Sequence, residues 1–251
     1  MKKETCIIHP PSKHGSINQI FDNIWFVKGQ LNMAMFLPMY ISRSMTIIRD
    51  NAGLTLINPI RLSESGMQAL ESLGKISTVI RIGGFHGRDE AFFKARYNAT
   101  IYALKGQVYT RKVTSLPNDA ATGYMQADVV LDVKDPLPIA NASLIWFQTA
   151  RPAEAVLKLE QNDGILITAD SLQNTPHPDE YHNWLAKIMM QSMGFFHPYH
   201  IGPGWLRYSG VDKNEVKALL NCDFSHVLPG HGDPVIADAR EKYRPALESI
   251  A

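Results

Sequence analysis

The stretch Ser225-His226-Val227-Leu228-Pro229-Gly230-His231-Gly232-Asp233-Pro234 decides the fold. A short apolar run ends at Pro229-Gly230, and His231 then follows in a turn between two glycines. Upstream, residues 164–171 read Gly-Ile-Leu-Ile-Thr-Ala-Asp-Ser, a second apolar run that ends in a carboxylate at Asp170. Each run predicts a strand with one ligand-type side chain at its end, so the two together predict a metal-supporting site.

Composition places the chain among ordinary globular proteins. Its 251 residues fit one larger domain or two small ones, and 45% of them are hydrophobic. The formal net charge of +1 predicts neither nucleic-acid binding nor attraction to an acidic membrane. The two cysteines, Cys6 and Cys222, are too few for a disulfide framework or a thiolate zinc site.

We expect a cytoplasmic protein whose partner is a small-molecule substrate or ligand, and composition leaves its oligomeric state open. Lys2 and Lys3 precede polar residues, not an apolar segment, which argues against a signal peptide. The apolar stretch 33–41 is too short to span a bilayer.

The order of predicted elements indicates two sheets packed face to face with helices outside. Strands dominate from residue 23, a helix–strand–helix–strand segment follows, and the second half repeats this trend. We predict an irregular lead-in at 1–22 and one domain at 23–251, in which 171–210 form a helix and a lid-like loop insertion. A capping box predicts that a helix begins at Ser65. We also predict a loop at 194–210 and a closing helix that is kinked or shortened at Pro245.

Two late motifs carry a resemblance to a known family. Thr168-Ala169-Asp170 resembles a strand end that reads Thr-Gly-Asp in the metallo-β-lactamase fold superfamily, and residues 229–232 resemble its Pro-Gly-His-Gly turn. The similarity in element order covers roughly residues 23–251. It implies an α/β (α+β) fold, a four-layer αβ/βα sandwich of two mixed β-sheets with outer helices.

The chain departs from the family at its other ligand positions. The family's His-x-His-x-Asp-His motif is replaced by residues 82–90, where His86 is the remaining histidine and Asp89 follows at a longer spacing. Arg151 falls about where the family has a histidine before a hairpin. The resemblance therefore points to a divergent branch of the superfamily with a degraded metal-binding motif.

The candidate metal ligands are His86, Asp170 and His231, and the candidate catalytic residues are Asp89 and Asp170. Nitrogen and oxygen ligands favour one zinc, iron or manganese ion, and a metal-free site is the alternative. Asp89 also fits a helix N-cap, and His86 also fits a hydrogen-bonding loop residue.

The candidate pocket residues are Arg88, Arg151, His197, His200 and Trp205. A guanidinium cannot shed its charge, so it would repel a nearby dication and could pair with a carboxylate instead. We therefore hypothesise that Arg151 or Arg88 contacts Asp170 and that the site holds no dinuclear metal.

Two functions follow from these residues. The resemblance implies a metal-dependent hydrolase in which metal-bound water attacks an ester, thioester or similar small substrate. The alternative is a metal-free, non-catalytic descendant of the fold that binds a small molecule or a protein partner. The number of ligands that converge in space separates the two, and fold-level analogy cannot supply the reaction.

Overall fold

The computed structural model describes residues 8–33, 37–107 and 125–250. Residues 1–7 of the predicted lead-in, residues 34–36 of the apolar stretch and Ala251 of the predicted domain lie outside the described residues.

The first sheet contains seven strands in the order of the chain. The first four are antiparallel neighbours, and β4 to β7 are parallel. The strands are β1 (Asn18–Phe21), β2 (Ile24–Asn32), β3 (Tyr40–Asp50), β4 (Gly53–Ile57), β5 (Ile76–Arg81), β6 (Thr100–Leu104) and β7 (Val129–Leu131).

The second sheet has four strands in the order β13-β10-β9-β8 and is also mixed. These strands are β8 (Ala142–Phe147), β9 (Glu154–Leu159), β10 (Ile165–Ile167) and β13 (His226–Leu228). β9 and β10 form the antiparallel hairpin predicted from the Asn162-Asp163-Gly164 turn, whereas β10 and β13 are parallel. A small additional ladder pairs β11 (Leu172–Gln173) with β12 (His200–Ile201).

Six α-helices lie among the described residues, followed in one case by a 3₁₀ turn at Ala218–Asn221. They are α1 (Glu64–Leu73), α2 (Glu90–Tyr97), α3 (Trp184–Ser192), α4 (Pro203–Ser209), α5 (Lys213–Lys217) and α6 (Ala239–Ser249). No helix in the described ranges is long and apolar enough to cross a membrane.

Three apolar clusters define the layers. One is formed by the facing sides of the two sheets, for example Ile80 and Leu157. A second joins the first sheet to α1 and α2, and a third joins the second sheet to α4, α5 and α6. The order helix, sheet, sheet, helix confirms the predicted four-layer αβ/βα sandwich of two mixed sheets.

Several local predictions are wrong. Helix α1 begins after Ser63, whose side chain accepts a hydrogen bond from Gly66 N, so the cap lies two residues before the predicted Ser65. Asn18–Phe21 of the predicted irregular lead-in forms β1, because it can pair with the edge of β2. The predicted loop at 194–210 contains β12 and α4.

Candidate functional site

Strands β10 and β13 bring Asp170 and His231 together. They are parallel neighbours, with Ile165 opposite His226 and Ile167 opposite Leu228, so their carboxyl ends lie at the same edge of the sheet. Gly230 allows the two chain segments to approach, since a Cβ at this position would lie 2.4 Å from Ala169 O. As a result His231 Nε2 lies 3.1 Å from Asp170 Oδ1.

His86 reaches the same point from the other sheet. It lies in the loop after β5, and Ala155 N donates to Ile82 O at 3.0 Å, which ties this loop to β9. A Cβ on Gly83 would lie only 2.2 Å from Ala169 Cβ, so glycine is needed for the loop to pack beside Asp170. His86 Nε2 is then 3.1 Å from Asp170 Oδ2.

His86, Asp170 and His231 form a compact group of potential metal ligands. One ligand atom from each residue lies within 4.8 Å of the others. Their side chains are largely buried, with 8%, 15% and 13% exposure respectively. Asp170 Oδ2 is buried and makes no aligned hydrogen bond, although His86 Nε2 is at ion-pair distance. A buried carboxylate oxygen with a free lone pair beside two imidazoles fits a divalent cation.

The electrostatics of the group favour an ionised Asp170. Burial alone would raise the pKa of Asp170, but His86 and His231 outweigh it and hold the pKa well below its usual range. Burial alone would lower the pKa of His231, yet its hydrogen bond to Asp170 and the attraction of that carboxylate raise it. His231 Nδ1 donates to Ser42 O at 2.7 Å, which fixes the ring and directs Nε2 toward Asp170.

Glu154 is a site residue that the sequence did not reveal. It is fully buried at the start of β9, and its Oε1 accepts the backbone N–H groups of Asp170 at 3.1 Å and Ser171 at 2.7 Å. Burial and the nearby charge of Asp170 raise the pKa of Glu154 well above its usual range. The sequence signal that could have revealed it was an acidic residue at the start of an apolar strand. Burial of a carboxyl group costs free energy unless the group has hydrogen-bond partners.

Asp89 lies outside the three-ligand group. It occupies the N-cap position of α2 but makes no side-chain capping bond. Its carboxylate instead pairs with Arg43, with Arg88 Nη1 at 2.7 Å and with Arg61 N at 3.1 Å. Arg43 was also missed from the sequence, although a charged residue inside the apolar strand β3 was a signal for a buried ion pair.

The hypothesis that Arg151 or Arg88 contacts Asp170 is wrong in this structure. Arg88 pairs with Asp89 and donates to Pro10 O at 3.3 Å. Arg151 is exposed, and its Nη1 donates to Gln148 O and Ala150 O, each at 2.7 Å. The guanidinium of Arg151 therefore binds carbonyl groups of its own loop before β9.

The predicted pocket residues of the insertion occupy different environments. His197 is exposed, whereas Trp205 is 3% exposed and packs on Phe147 with ring centroids 4.9 Å apart. Trp205 therefore belongs to the core under α4. His200 is partly buried on β12, where burial lowers its pKa to about 4. Neither ring nitrogen of His200 has an aligned hydrogen-bond partner.

Two cavities in the described part of the chain do not contain the ligand group. One, of about 970 Å³, lies between the residues before β1 and helix α1. The other, of about 320 Å³, lies where Leu37, Pro38 and Tyr40 meet the start of α3. These cavities therefore do not locate a substrate.

Comparison with solved structures places the fold among the metallo-β-lactamases. The FIM-1 metallo-β-lactamase of Pseudomonas aeruginosa, in its mono-zinc form, superimposes with a TM-score of 0.61 at 12% identity, covering 95% of this chain and 96% of that chain. A metallo-β-lactamase from Erythrobacter litoralis, with β-mercaptoethanol in its active site, gives 0.58 at 13% identity, covering 97% and 100%. DIM-1 metallo-β-lactamase exposed to ceftazidime gives 0.60 at 11% identity, covering 97% and 100%.

No protein-family model and no curated protein matches the sequence. Identities of this size show a shared fold and do not transfer an activity. The chain thus has the metallo-β-lactamase fold, with a three-residue group at the edge of the sandwich that could hold a metal ion.

Proposed function

We propose that this protein is a metal-dependent hydrolase that acts on an ester, thioester or similar small substrate. The observation that supports this proposal is the convergence of His86, Asp170 and His231, with their ligand atoms within 4.8 Å of one another. The shared fold of the metallo-β-lactamases, one of them solved with a single zinc, is consistent with it.

The ligand set suits a divalent zinc, iron or manganese ion. Two imidazoles and one carboxylate are typical ligands for these metals, and three protein ligands leave a position open for substrate or water. When bound, such an ion supplies Lewis-acid chemistry, which lowers the pKa of water and polarises a carbonyl group.

The surrounding residues hold the ligands in position. Ser42 O accepts the Nδ1 proton of His231, so that Nε2 is the nitrogen available to an ion. Glu154 holds the Asp170 turn through two backbone N–H groups. These contacts orient the ligands before any ion binds, which reduces the ordering that binding would require.

The second candidate is a metal-free protein that binds a small molecule or a protein partner at the same edge. One observation favours it, because both histidines already lie 3.1 Å from Asp170 and can satisfy its charge without an ion. The raised pKa of His231 is consistent with a protonated imidazole in that state.

Metal analysis of protein purified without chelators or affinity metal distinguishes the two candidates. We expect a stoichiometric divalent ion in the wild type and loss of most of it in His231→Ala. In His231→Ala, the rate of hydrolysis of a panel of carboxylic esters, thioesters and phosphodiesters should fall together with the metal content. His177→Ala, at an exposed histidine outside the group, should retain both properties and controls for incidental histidine binding.

Two outcomes would contradict the hydrolase proposal. One is a wild-type protein that remains metal-free after incubation with zinc, iron(II) and manganese. The other is a metal content that does not change in His231→Ala. Either result would favour the metal-free candidate.

A further inference from the structure

The carboxylate of Asp89 is already bound by three hydrogen-bond donors. Its side chain is fully buried, and three donors share its two oxygens. Arg88 Nη1 donates to Oδ1 at 2.7 Å, while Arg43 Nη2 and Arg61 N both donate to Oδ2. A carboxylate held in this way would have to break charge-assisted bonds before it could bind a cation.

The two arginines of this cluster are close in the chain to residues of the candidate site. Arg43 follows Ser42, whose carbonyl oxygen accepts the Nδ1 proton of His231 at 2.7 Å. Arg88 comes two residues after His86 along the same loop.

The cluster carries more positive than negative charge. Arg43 and Arg88 each bring a permanent positive charge, and Asp89 balances one of them. Arg43 is 5% exposed and retains a buried Nε without a hydrogen-bond partner, so its charge is incompletely compensated. A second dication placed beside these guanidinium groups would be repelled by both.

We propose that the centre binds a single divalent cation at His86, Asp170 and His231, and that the guanidinium of Arg43, held on Asp89, provides a second and fixed positive charge beside it. Asp89 is then a positioning residue for Arg43 and is not a metal ligand. This inference rests on the proposed function, because it assumes that the three-residue group holds an ion.

Titration of the metal-free protein with Zn²⁺ by calorimetry, and with Co²⁺ by visible absorption, tests the proposal. We expect one equivalent in the wild type and the same stoichiometry and cobalt spectrum in Asp89→Asn, with an affinity lower by up to about 10-fold because Arg43 and Arg88 lose part of their charge compensation. Asp170→Asn should lose roughly 100-fold or more in affinity for Zn²⁺. Residues that only hydrogen-bond to a ligand typically cost about 10- to 100-fold when substituted, so a true ligand should cost at least as much. Two equivalents in the wild type, or a loss in Asp89→Asn equal to that of Asp170→Asn, would overturn the proposal.

Asp89→Asn leaves buried arginines with less compensation and could unfold the protein. The double variant Arg43→Met/Asp89→Leu removes the buried pair together, and we expect it to fold and to bind one equivalent. Loss of cation binding in a folded double variant would contradict the assignment of Asp89.

Arg43→Met tests the role of the fixed charge. Removing the guanidinium should tighten Zn²⁺ binding by about 10-fold or more, since a repulsive charge is lost and the negative charge of Asp89 is less compensated. Arg49→Met is the matched control, because Arg49 lies on the same strand at an exposed end, bonded to Asn23 and Leu73 O. Equal affinities in wild type, Arg43→Met and Arg49→Met would overturn the role of Arg43.

The failures of the two proposals are distinguishable. A wild-type protein that binds no cation contradicts the proposed hydrolase. A protein that binds two cations, or that uses Asp89 as a ligand, contradicts only the single-cation inference and leaves the hydrolase proposal in place.

Discussion

At the scale of single residues, the candidate site depends on polar groups that are buried together. Asp170 receives His86 and His231 on its two oxygens, while Glu154 binds the backbone N–H groups beneath it. Each of these side chains would be costly to bury alone, so each depends on its neighbours. Charge compensation and hydrogen bonding within the group therefore help to hold the candidate ligands in position.

Glu154 offers a test at this scale. Glu154→Leu removes the acceptor for two buried N–H groups, so we expect the free energy of unfolding to fall by about 1–3 kcal/mol. Because the Asp170 turn loses its support, the affinity for Zn²⁺ should also fall by about 10-fold. Urea unfolding and calorimetric titration measure the two effects.

Glu154→Gln is the conservative control for this prediction. Its amide oxygen can still accept both N–H groups, so stability and Zn²⁺ affinity should return close to the wild-type values. If Glu154→Leu binds Zn²⁺ as tightly as the wild type, then Glu154 does not position Asp170.

At the scale of elements, close approach of loops decides whether the ligands meet. Asp170 and His231 are adjacent because β10 and β13 are parallel neighbours. His86 joins them only because the loop after β5 packs on Ala169 at Gly83. The first contact follows from strand pairing, whereas the second depends on the absence of a single side chain.

Gly83→Ala should separate the two sheets locally. The new Cβ would lie 2.2 Å from Ala169 Cβ and 3.0 Å from His86 Cδ2. We expect a loss of about 1–3 kcal/mol in the free energy of unfolding from overpacking. The displacement of His86 should weaken Zn²⁺ binding as well.

Gly83→Ala/Ala169→Gly provides the matched compensation. It removes the closest clash and moves the methyl group to the opposite loop, so most of the lost stability should return. Equal stabilities of the wild type and Gly83→Ala by urea unfolding would show that the loops can separate without cost.

The sequence predicted these elements unevenly. The hairpin at 154–167 and the strand before His231 were foreseen, because a turn signal and short apolar runs are local features. The start of α1 and the helix at 203–209 were not, because several serines could cap the first and a Gly- and Pro-rich segment is typical of a loop.

At the scale of the whole molecule, burial of histidine makes stability depend on pH. Burial on β12 lowers the pKa of His200 to about 4, against about 6.5 in an unfolded chain. Between these values the unfolded chain binds a proton that the folded chain does not. The stability that the protein has with a neutral His200 is therefore fully present above about pH 6.5, and it is lost progressively as the pH falls toward about 4.

We expect protonation of His200 in the unfolded chain to lower the free energy of unfolding by up to about 2 kcal/mol at about pH 5, relative to about pH 7.5. Urea unfolding at the two pH values measures this difference. The variant His200→Gln cannot take up this proton, so its stability should fall less over the same interval. The comparison isolates His200 from His231, whose raised pKa acts in the opposite direction. Identical pH dependence in both proteins would contradict a buried, neutral His200.

The sequence by itself determined the fold class and named the three candidate ligands, two of them from strand-end motifs. Residues 164–170 and 225–232 each contain a strand and the turn that ends it, so their pattern could be read without knowledge of the rest. The sandwich that they predicted is the one observed, and it is shared with the metallo-β-lactamases.

Only the tertiary structure decided what surrounds those ligands. It brought Arg43 onto Asp89 across 46 residues and placed Glu154 under Asp170, while it bound Arg151 to the carbonyl groups of its own loop. The physical reason is that turns and periodicity act between neighbours in the chain, whereas the pairing of buried charges depends on which strands and loops pack together. His231 and Asp170 were readable from their own strand ends, but the contacts of Ser42 and Glu154 with them were not.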